Sequence, residues 1–223
     1  MPPLHDDGII LINKPAGMTS FGVVARVRRV LSQAAGKKVK VGHTGTLDPF
    51  ATGLMIIVTG SACRQAMHYT AHDKWYEAEL VLGDTSTTAD PEGEITHQSD
   101  DQPQREDIAR VLKQFTGQIL QQPPAFSAIK VNGKRAYQLA RHGQVVELPK
   151  RPVHIYSLEI INYTYPSLTI RTHVSSGTYI RSLAVDIGTA LGTGAYCRRL
   201  TRTKIAQFTL DEAHSLADFG IFS

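Results

Sequence analysis

Asp48 is the residue whose surroundings most strongly indicate chemistry. It is the one carboxylate of a glycine-rich stretch at 42–54, and an apolar run at 54–58 follows at once. Such a run predicts a buried strand. Glycine lets the backbone adopt positive φ and approach a ligand closely, whereas Pro49 biases Asp48 toward an extended conformation. The pattern therefore predicts a carboxylate on a stiffened loop beside the core, a position suited to nucleophilic catalysis.

The charge near Asp48 predicts that its carboxylate is ionised. Residues 8–47 contain no Asp or Glu but carry Lys14, Arg26, Arg28, Arg29, Lys37, Lys38 and Lys40. Nearby positive charge favours a carboxylate anion. The alternative is that Asp48 and Pro49 begin a helix, as N-cap and first helical residue. Spacing alone favours this alternative, although Gly53 leaves room for only about one helical turn; the surrounding charge favours catalysis.

Charge is distributed unevenly along the 223 residues, whose formal net charge is +4. No Lys or Arg lies between Trp75 and Gln104, where eight Asp or Glu residues fall: Glu77, Glu79, Asp84, Asp90, Glu92, Glu94, Asp100 and Asp101. Basic residues concentrate in the first forty positions and at 198–204. This asymmetry predicts one positive and one negative face, as in a protein that docks a polyanion in one orientation. Each run taken singly is better explained as solvated surface.

Several classes of protein are excluded by composition. Cys63 and Cys197 are too few for a disulfide framework, and His68 and His72 lack the Glu of a zinc-protease helix. The first seven residues do not form a signal peptide, and no run approaches the ~20 apolar residues of a membrane span. Neither a phosphate-binding loop nor a dinucleotide fingerprint is complete. We therefore expect a cytoplasmic protein with no metal and no nucleotide cofactor.

The apolar pattern predicts an α+β fold with a mixed, mainly antiparallel central sheet flanked by helices and loops. The segment 84–101 carries a turn signature at 90–93 and predicts a hairpin or a mobile loop, and Asn132-Gly133 predicts a tight hairpin. Strands are predicted at 8–12, 54–58, 74–82, 145–148, 153–162, 168–175 and 196–205. Helices are predicted from Ser20, at 61–69, from Gln104, at 180–191 and at 210–219.

The segment 42–53 resembles the catalytic motif of the TruB family of tRNA pseudouridine synthases. The likeness extends, in the same order, to residues 13–17, 122–128, 130–137 and 177–181. It implies that residues 1–223 form a single catalytic domain with the pseudouridine synthase fold. It also implies that the C-terminal RNA-binding module common in bacterial members, the PUA domain, is absent from this chain.

The resemblance implies isomerisation of uridine to pseudouridine at position 55, in the TΨC arm of tRNA, by a monomer that needs no cofactor. Asp48 would act on the flipped uridine, Tyr76 would stack on its base and Arg181 would pair with Asp48. His43 would contact the RNA, while Tyr179 and Leu200 would line the pocket. Phosphate contacts would come from Lys14, 26–40, Lys130, Lys134 and 198–204.

The position of Arg181 in the sequence supports the predicted pairing independently. Arg181 stands at the start of the predicted helix 180–191, where the helix dipole disfavours a cation. An anionic partner is therefore expected, and Asp48 is a candidate; the alternative is that Arg181 is an ordinary surface residue.

Two other functions fit part of the pattern. A nucleoside or glycoside hydrolase could use Asp48, but most such enzymes need two carboxylates, and the nearest in sequence are Asp7 and Asp73. A non-catalytic RNA-binding or RNA-folding module fits the charge asymmetry equally well, but gives no reason for the loop that carries Asp48.

Overall fold

A computed structural model describes residues 7–131, 133–144, 146 and 148–221. The chain divides into two compact units, a first unit of Met1–Trp75 with Thr201–Ser223 and a second unit of Tyr76–Leu200. Three sequence predictions fall partly outside the described residues: the N-terminal segment, the strand at 145–148 and the Asn132 turn. Within the described residues, no helix has both the length and the apolar character needed to cross a membrane.

The described residues form five α-helices and thirteen strands. The helices are α1 (Ser20–Ala35), α2 (Ala66–Thr70), α3 (Arg105–Gln114), α4 (Ala136–Arg141) and α5 (Ile180–Leu191). The strands up to residue 97 are β1 (Gly8–Lys14), β2 (Val41–His43), β3 (Thr52–Thr59), β4 (Lys74–Leu82), β5 (Asp84–Ser86) and β6 (Ile95–His97). The later strands are β7 (Gly117–Gln121), β8 (Lys130–Val131), β9 (Lys134–Arg135), β10 (Arg151–Thr164), β11 (Ser167–Val174), β12 (Ala195–Ile205) and β13 (Phe208–Thr209).

Strand β3 forms the centre of the first unit. It pairs antiparallel with β1 and β2 and parallel with the end of β12. Met55 and Ile57 pack in one core with the apolar face of α1, while Leu54, Ile56 and Val58 pack in a second core. Burial on both faces explains why the sequence at β3 is a continuous apolar run rather than an alternating one. The strand predicted at 54–58 is confirmed.

Helix α1 has its N-cap one residue earlier than predicted. The N-cap is Thr19, whose hydroxyl accepts a hydrogen bond from Gly22 N at 2.9 Å. Ser20 is buried as the first helical residue, because its hydroxyl is bonded to the backbone of Leu47. Two adjacent hydroxyl residues can each cap a helix, so this distant contact decides between them.

Strands of the second unit pair in the order β4-β11-β10-β7. Both β11 and β7 lie antiparallel to β10, and β5 and β6 form the antiparallel hairpin predicted within 84–101. The parallel pairing of β3 with the end of β12 makes the strand directions mixed. The predicted α+β class with a mainly antiparallel sheet is confirmed. The single helix predicted at 210–219 is wrong, because two short 3-10 turns, Leu210–Glu212 and Ala217–Phe219, occupy that segment.

Lys74, the first residue of β4, is a buried cation of the first unit. Only 7% of its surface is exposed, and its ammonium donates to Thr70 O at 3.1 Å and His72 O at 2.6 Å. Burial, and then the positive charge of Arg202, lower the pKa of Lys74 from 10.5 to about 8. A lysine in such surroundings releases its proton more readily than a solvated one.

The free energy of unfolding should therefore rise with pH above about 8. Below that pH, Lys74 is protonated in both the folded and the unfolded chain. Between the folded pKa of about 8 and the usual 10.5, the unfolded chain binds more protons, so unfolding becomes less favourable as pH rises. Urea unfolding should show a gain on the order of 3 kcal/mol that the Lys74→Met variant lacks. Equal pH slopes in the two proteins would contradict this assignment.

Candidate active site

Asp48 lies on an irregular loop between β2 and β3 and is half-buried. The amide of Ala51 donates to Asp48 O at 3.2 Å, and β3 begins at the next residue, Thr52. Because no helix follows Asp48, the interpretation of this residue as a helix N-cap is wrong. The loop leads directly into the most buried strand of the first unit, as predicted.

The backbone immediately before Asp48 is fixed by Ser20. The Ser20 hydroxyl donates to Leu47 O at 2.9 Å and accepts from Leu47 N at 2.8 Å. Both residues are buried, so water cannot readily replace either bond. One side chain at the start of α1 thus satisfies both backbone groups of the residue that precedes the carboxylate.

The backbone immediately after Asp48 is fixed by Gly17 and Lys14. The oxygen of Pro49 accepts from Gly17 N at 2.8 Å and from Lys14 Nζ at 3.1 Å. The same ammonium donates to the carbonyls of Pro15 and Met18, at 2.7 Å each, and Lys14 is fully buried. A phosphate contact requires an exposed ammonium, so this burial argues against the predicted role of Lys14 in substrate binding. Its position indicates support of the loop instead.

Arg202 reaches the same loop from β12. Its guanidinium donates from Nε to Leu54 O at 2.7 Å and from Nη2 to Gly45 O at 3.2 Å, and Arg202 is 1% exposed. The strand that carries it lies very close to β3. Gly53 has φ +106°, and a Cβ on it would stand 2.4 Å from Arg202 O. Only glycine fits there, which gives the last glycine of the motif a steric explanation.

His43 ends β2 at the start of the loop. Its Nδ1 accepts a hydrogen bond from Gly45 N at 3.3 Å, which fixes one edge of a half-buried imidazole. The first unit therefore brings together three residues predicted for the site: Lys14, His43 and Asp48. The predicted contact of His43 with RNA stays a prediction.

Arg181 lies in the first turn of α5 in the second unit, with 3% of its side chain exposed. Its guanidinium donates to Thr88 O and Phe126 O, at 2.8 Å each. Nη1 also lies 3.2 Å from Oδ2 of Asp90, whose side chain is 5% exposed. Arg181 thus has the anionic partner that its position on the helix required. Its predicted pairing with Asp48 stays a prediction.

Asp90 was missed by sequence reasoning, although a signal was present. The sequence Asp90-Pro91-Glu92-Gly93 predicts a turn, and a turn carboxylate is usually exposed. Asp90 accepts from the Thr88 hydroxyl and from Glu92 N, which holds its carboxylate toward the interior of the hairpin. A buried carboxylate requires such hydrogen bonds and a charge partner to remain ionised.

The start of α5 is held by the end of β7. Gln121 accepts from Tyr179 N at 2.8 Å and donates to Tyr179 O at 3.0 Å, while the Ser182 hydroxyl donates to Gln122 O at 2.9 Å. Gln121 is 1% exposed. The five-residue strand β7 was not predicted, so this anchor could not be recognised from the sequence. Arg151 also lies over the ring of Tyr179, 5.3 Å from its centroid.

The remaining predicted site residues differ in exposure. Tyr76 is buried on β4, the strand predicted at 74–82, on the same side as Ala78 and Leu80; Val81 is buried as well. Leu200 is buried on β12, and Lys130 is exposed on β8. The roles predicted for Tyr76, Tyr179, Leu200 and Lys130 stay predictions.

The basic run at 198–204 is not a continuous row of phosphate contacts. Arg198 and Arg199 both lie against Glu79, and the hydrogen bond from Arg198 is the main cause that lowers the pKa of Glu79. Lys204 lies 4.8 Å from the centroid of the Trp75 ring. Arg202 is buried. The four basic residues of this run therefore have three different surroundings: Glu79, the ring of Trp75 and the protein interior.

Comparison with known proteins places the chain in a family. The model of the N-terminal domain of the TruB family pseudouridylate synthases matches residues 28–180. A protein of Parabacteroides distasonis named tRNA pseudouridine synthase B is 48% identical over 216 residues, which are 96% of this chain and 92% of the relative. A protein of the same name from Corynebacterium efficiens is 42% identical over 221 residues, covering 97% of this chain and 73% of the relative.

Solved structures agree in fold. A chain of a Cbf5-Nop10-Gar1 complex has a TM-score of 0.74 and 30% identity, over 97% of this chain and 55% of that one. A chain of an H/ACA RNP bound to a substrate RNA that contains 2'-deoxyuridine has a TM-score of 0.70 and 28% identity, over 96% and 52%. This chain therefore spans about half the length of those solved chains. By its sequence match and its fold, the chain belongs to the TruB family of pseudouridylate synthases.

Proposed function

We propose that this protein isomerises uridine to pseudouridine in tRNA, at position 55 of the TΨC arm, and that Asp48 acts on the target nucleotide. The observation that carries the proposal is the fixed backbone on both sides of Asp48, where Leu47 is bonded to Ser20 and Pro49 to Lys14 and Gly17. Family membership and relatives named tRNA pseudouridine synthase B support the same reaction.

The reaction needs few participants. The bond between the ribose C1′ and N1 of uracil breaks, the base turns, and a bond forms between C1′ and C5. The hydrogen on C5 leaves as a proton while N1 gains one, so no atoms are added and no electrons are exchanged with a cofactor. A carboxylate held in one place can assist both bond cleavage and bond formation, because its orientation is set before the substrate binds.

The other site residues would hold the base and the charge of Asp48. Arg181 would pair with Asp48 and keep it ionised, while Tyr76 would stack on the flipped base. Tyr179 and Leu200 would line the pocket, and His43 would contact the RNA where the base has left its stack. Such contacts offset the few kcal/mol that unstacking costs.

The partner in this proposal is the T-arm stem-loop of a tRNA, bound by a monomer in the cytoplasm. Exposed cations such as Arg29, Lys38 and Lys130 support this partner, because each phosphate contact releases counterions. Binding would weaken as salt concentration rises. Buried Lys14 and Arg202 would contribute no such contacts.

Replacement of Asp48 by Asn tests the proposed reaction. Tritium on C5 of uridine in a T-arm stem-loop should be released by the parent protein. The Asp48→Asn variant should lower the release rate by at least roughly 10³-fold with RNA affinity retained, since the amide keeps the shape but not the charge. Asp211→Asn, which removes an exposed carboxylate of the same unit, is the matched control and should behave like the parent.

Each of the other possible outcomes would indicate a different function or mechanism for this protein. Free uracil without pseudouridine would indicate a hydrolase. Binding without tritium release by the parent would indicate an RNA-binding module. Parent-like release by Asp48→Asn would remove Asp48 from the mechanism.

Replacement of Asp90 by Asn tests whether Arg181 must be held by a buried charge pair. Arg181 would keep its two carbonyl partners but lose the ion pair, so its guanidinium would be less firmly placed. We expect kcat to fall about 10- to 100-fold, in line with small misplacements near a reaction centre. Asp84→Asn, which removes a more exposed carboxylate of the same hairpin, should leave kcat unchanged. Equal kcat values in the two variants would contradict a functional role of the pair.

A further inference from the structure

Arg202 contacts the backbone at the start of the Asp48 loop and in the strand that follows the loop. Nη2 donates to Gly45 O at 3.2 Å and Nη1, at a long 3.5 Å, to Thr46 O, three and two residues before Asp48. Nε donates to Leu54 O at 2.7 Å, six residues after Asp48. One rigid, planar group therefore ties the start of the loop to the strand into which the loop leads.

The surroundings of Arg202 exclude an ordinary surface role. Only 1% of Arg202 is exposed, so its guanidinium cannot reach a phosphate of bound RNA in this conformation. Burial of a cation has a free-energy cost that hydrogen bonds to neutral carbonyls offset only in part. Arg202 also lies near enough to Lys74 to lower that residue's pKa. Two cations buried close together stabilise a fold poorly, which points to a role in the loop rather than in general stability.

The strand that carries Arg202 is itself in a fixed register. Thr201 and Arg202 pair with Thr52 and Gly53 of β3, and the hydroxyls of Thr201 and Thr52 lie 2.9 Å apart. The absence of a side chain on Gly53 lets the two backbones meet. The backbone that carries the guanidinium is therefore held in a fixed position relative to the loop.

We propose that Arg202 is a positioning residue for Asp48: its guanidinium sets the path of the loop and so the place of the carboxylate, without touching the substrate. This inference rests on the proposed function. It assigns Arg202 a role different from that of the exposed cations of β12. Loss of the guanidinium should slow the chemical step and leave RNA binding unchanged.

Two variants of Arg202 and one control variant test the proposed positioning role. Arg202→Met keeps most of the side-chain volume. Arg202→Lys keeps the charge but replaces the planar guanidinium and its several N–H donors with one ammonium. We expect Arg202→Met to lower kcat about 100-fold with KM unchanged and with the salt dependence of RNA binding unchanged. Arg202→Lys should recover part of kcat, because one ammonium can reach one of the carbonyls. Arg199→Met removes a largely exposed guanidinium of the same strand and should instead raise KM and reduce the salt dependence.

The outcomes separate the inference from the function on which it rests. Parent kcat in a folded Arg202→Met variant would overturn the inference, as would a raised KM with a reduced salt dependence. If Arg202→Met does not fold, Arg202→Lys decides: a folded variant with lowered kcat supports positioning, and one with parent kcat rejects it. A parent protein that releases no tritium would reject the proposed function, and the inference would fall with it.

Discussion

Hydrogen bonds from side chains to the backbone of one irregular loop are the constraint on which the site depends. A loop lacks the regular backbone hydrogen bonds of a helix or a sheet, so its carbonyl and amide groups need other partners. Ser20 binds Leu47, Lys14 binds Pro49 and Arg202 binds Gly45, which places partners close to Asp48 on both sides. Asp48 is consequently carried by a backbone that is restrained before any substrate arrives.

Buried cations recur in both units, and in each they bind the carbonyls of irregular segments. Lys14 and Arg202 do so in the first unit, while Arg181 binds the carbonyls of Thr88 and Phe126 in the second and adds the ion pair to Asp90. A buried charge is costly unless its hydrogen bonds are satisfied. Retaining such buried charges indicates that the conformation of these segments matters more than a small further gain in stability. Within each unit, we interpret these hydrogen bonds as restraints on the segments that carry residues predicted for the site.

Sequence reasoning predicted the parts of this arrangement that depend on local pattern. The apolar run identified β3, and the helices predicted from Ser20 and at 180–191 are present as α1 and α5. It failed where a distant partner decides. Nothing local distinguishes Ser20 from Thr19 as a cap, or buried Arg202 from exposed Arg199 on the same strand.

Charge alone does not distinguish buried from exposed basic residues, for the same reason. Lys14 and Arg202 count as basic residues in the sequence, but each is surrounded by carbonyl oxygens in the fold.

The central claim is that the loop carrying Asp48 is restrained before any substrate binds. Amide hydrogen exchange at Leu47 in the free protein tests this claim most directly. A restrained loop predicts a protection factor of at least about 10³, or about 4 kcal/mol of opening free energy. Exchange as fast as that of an unstructured amide would contradict it.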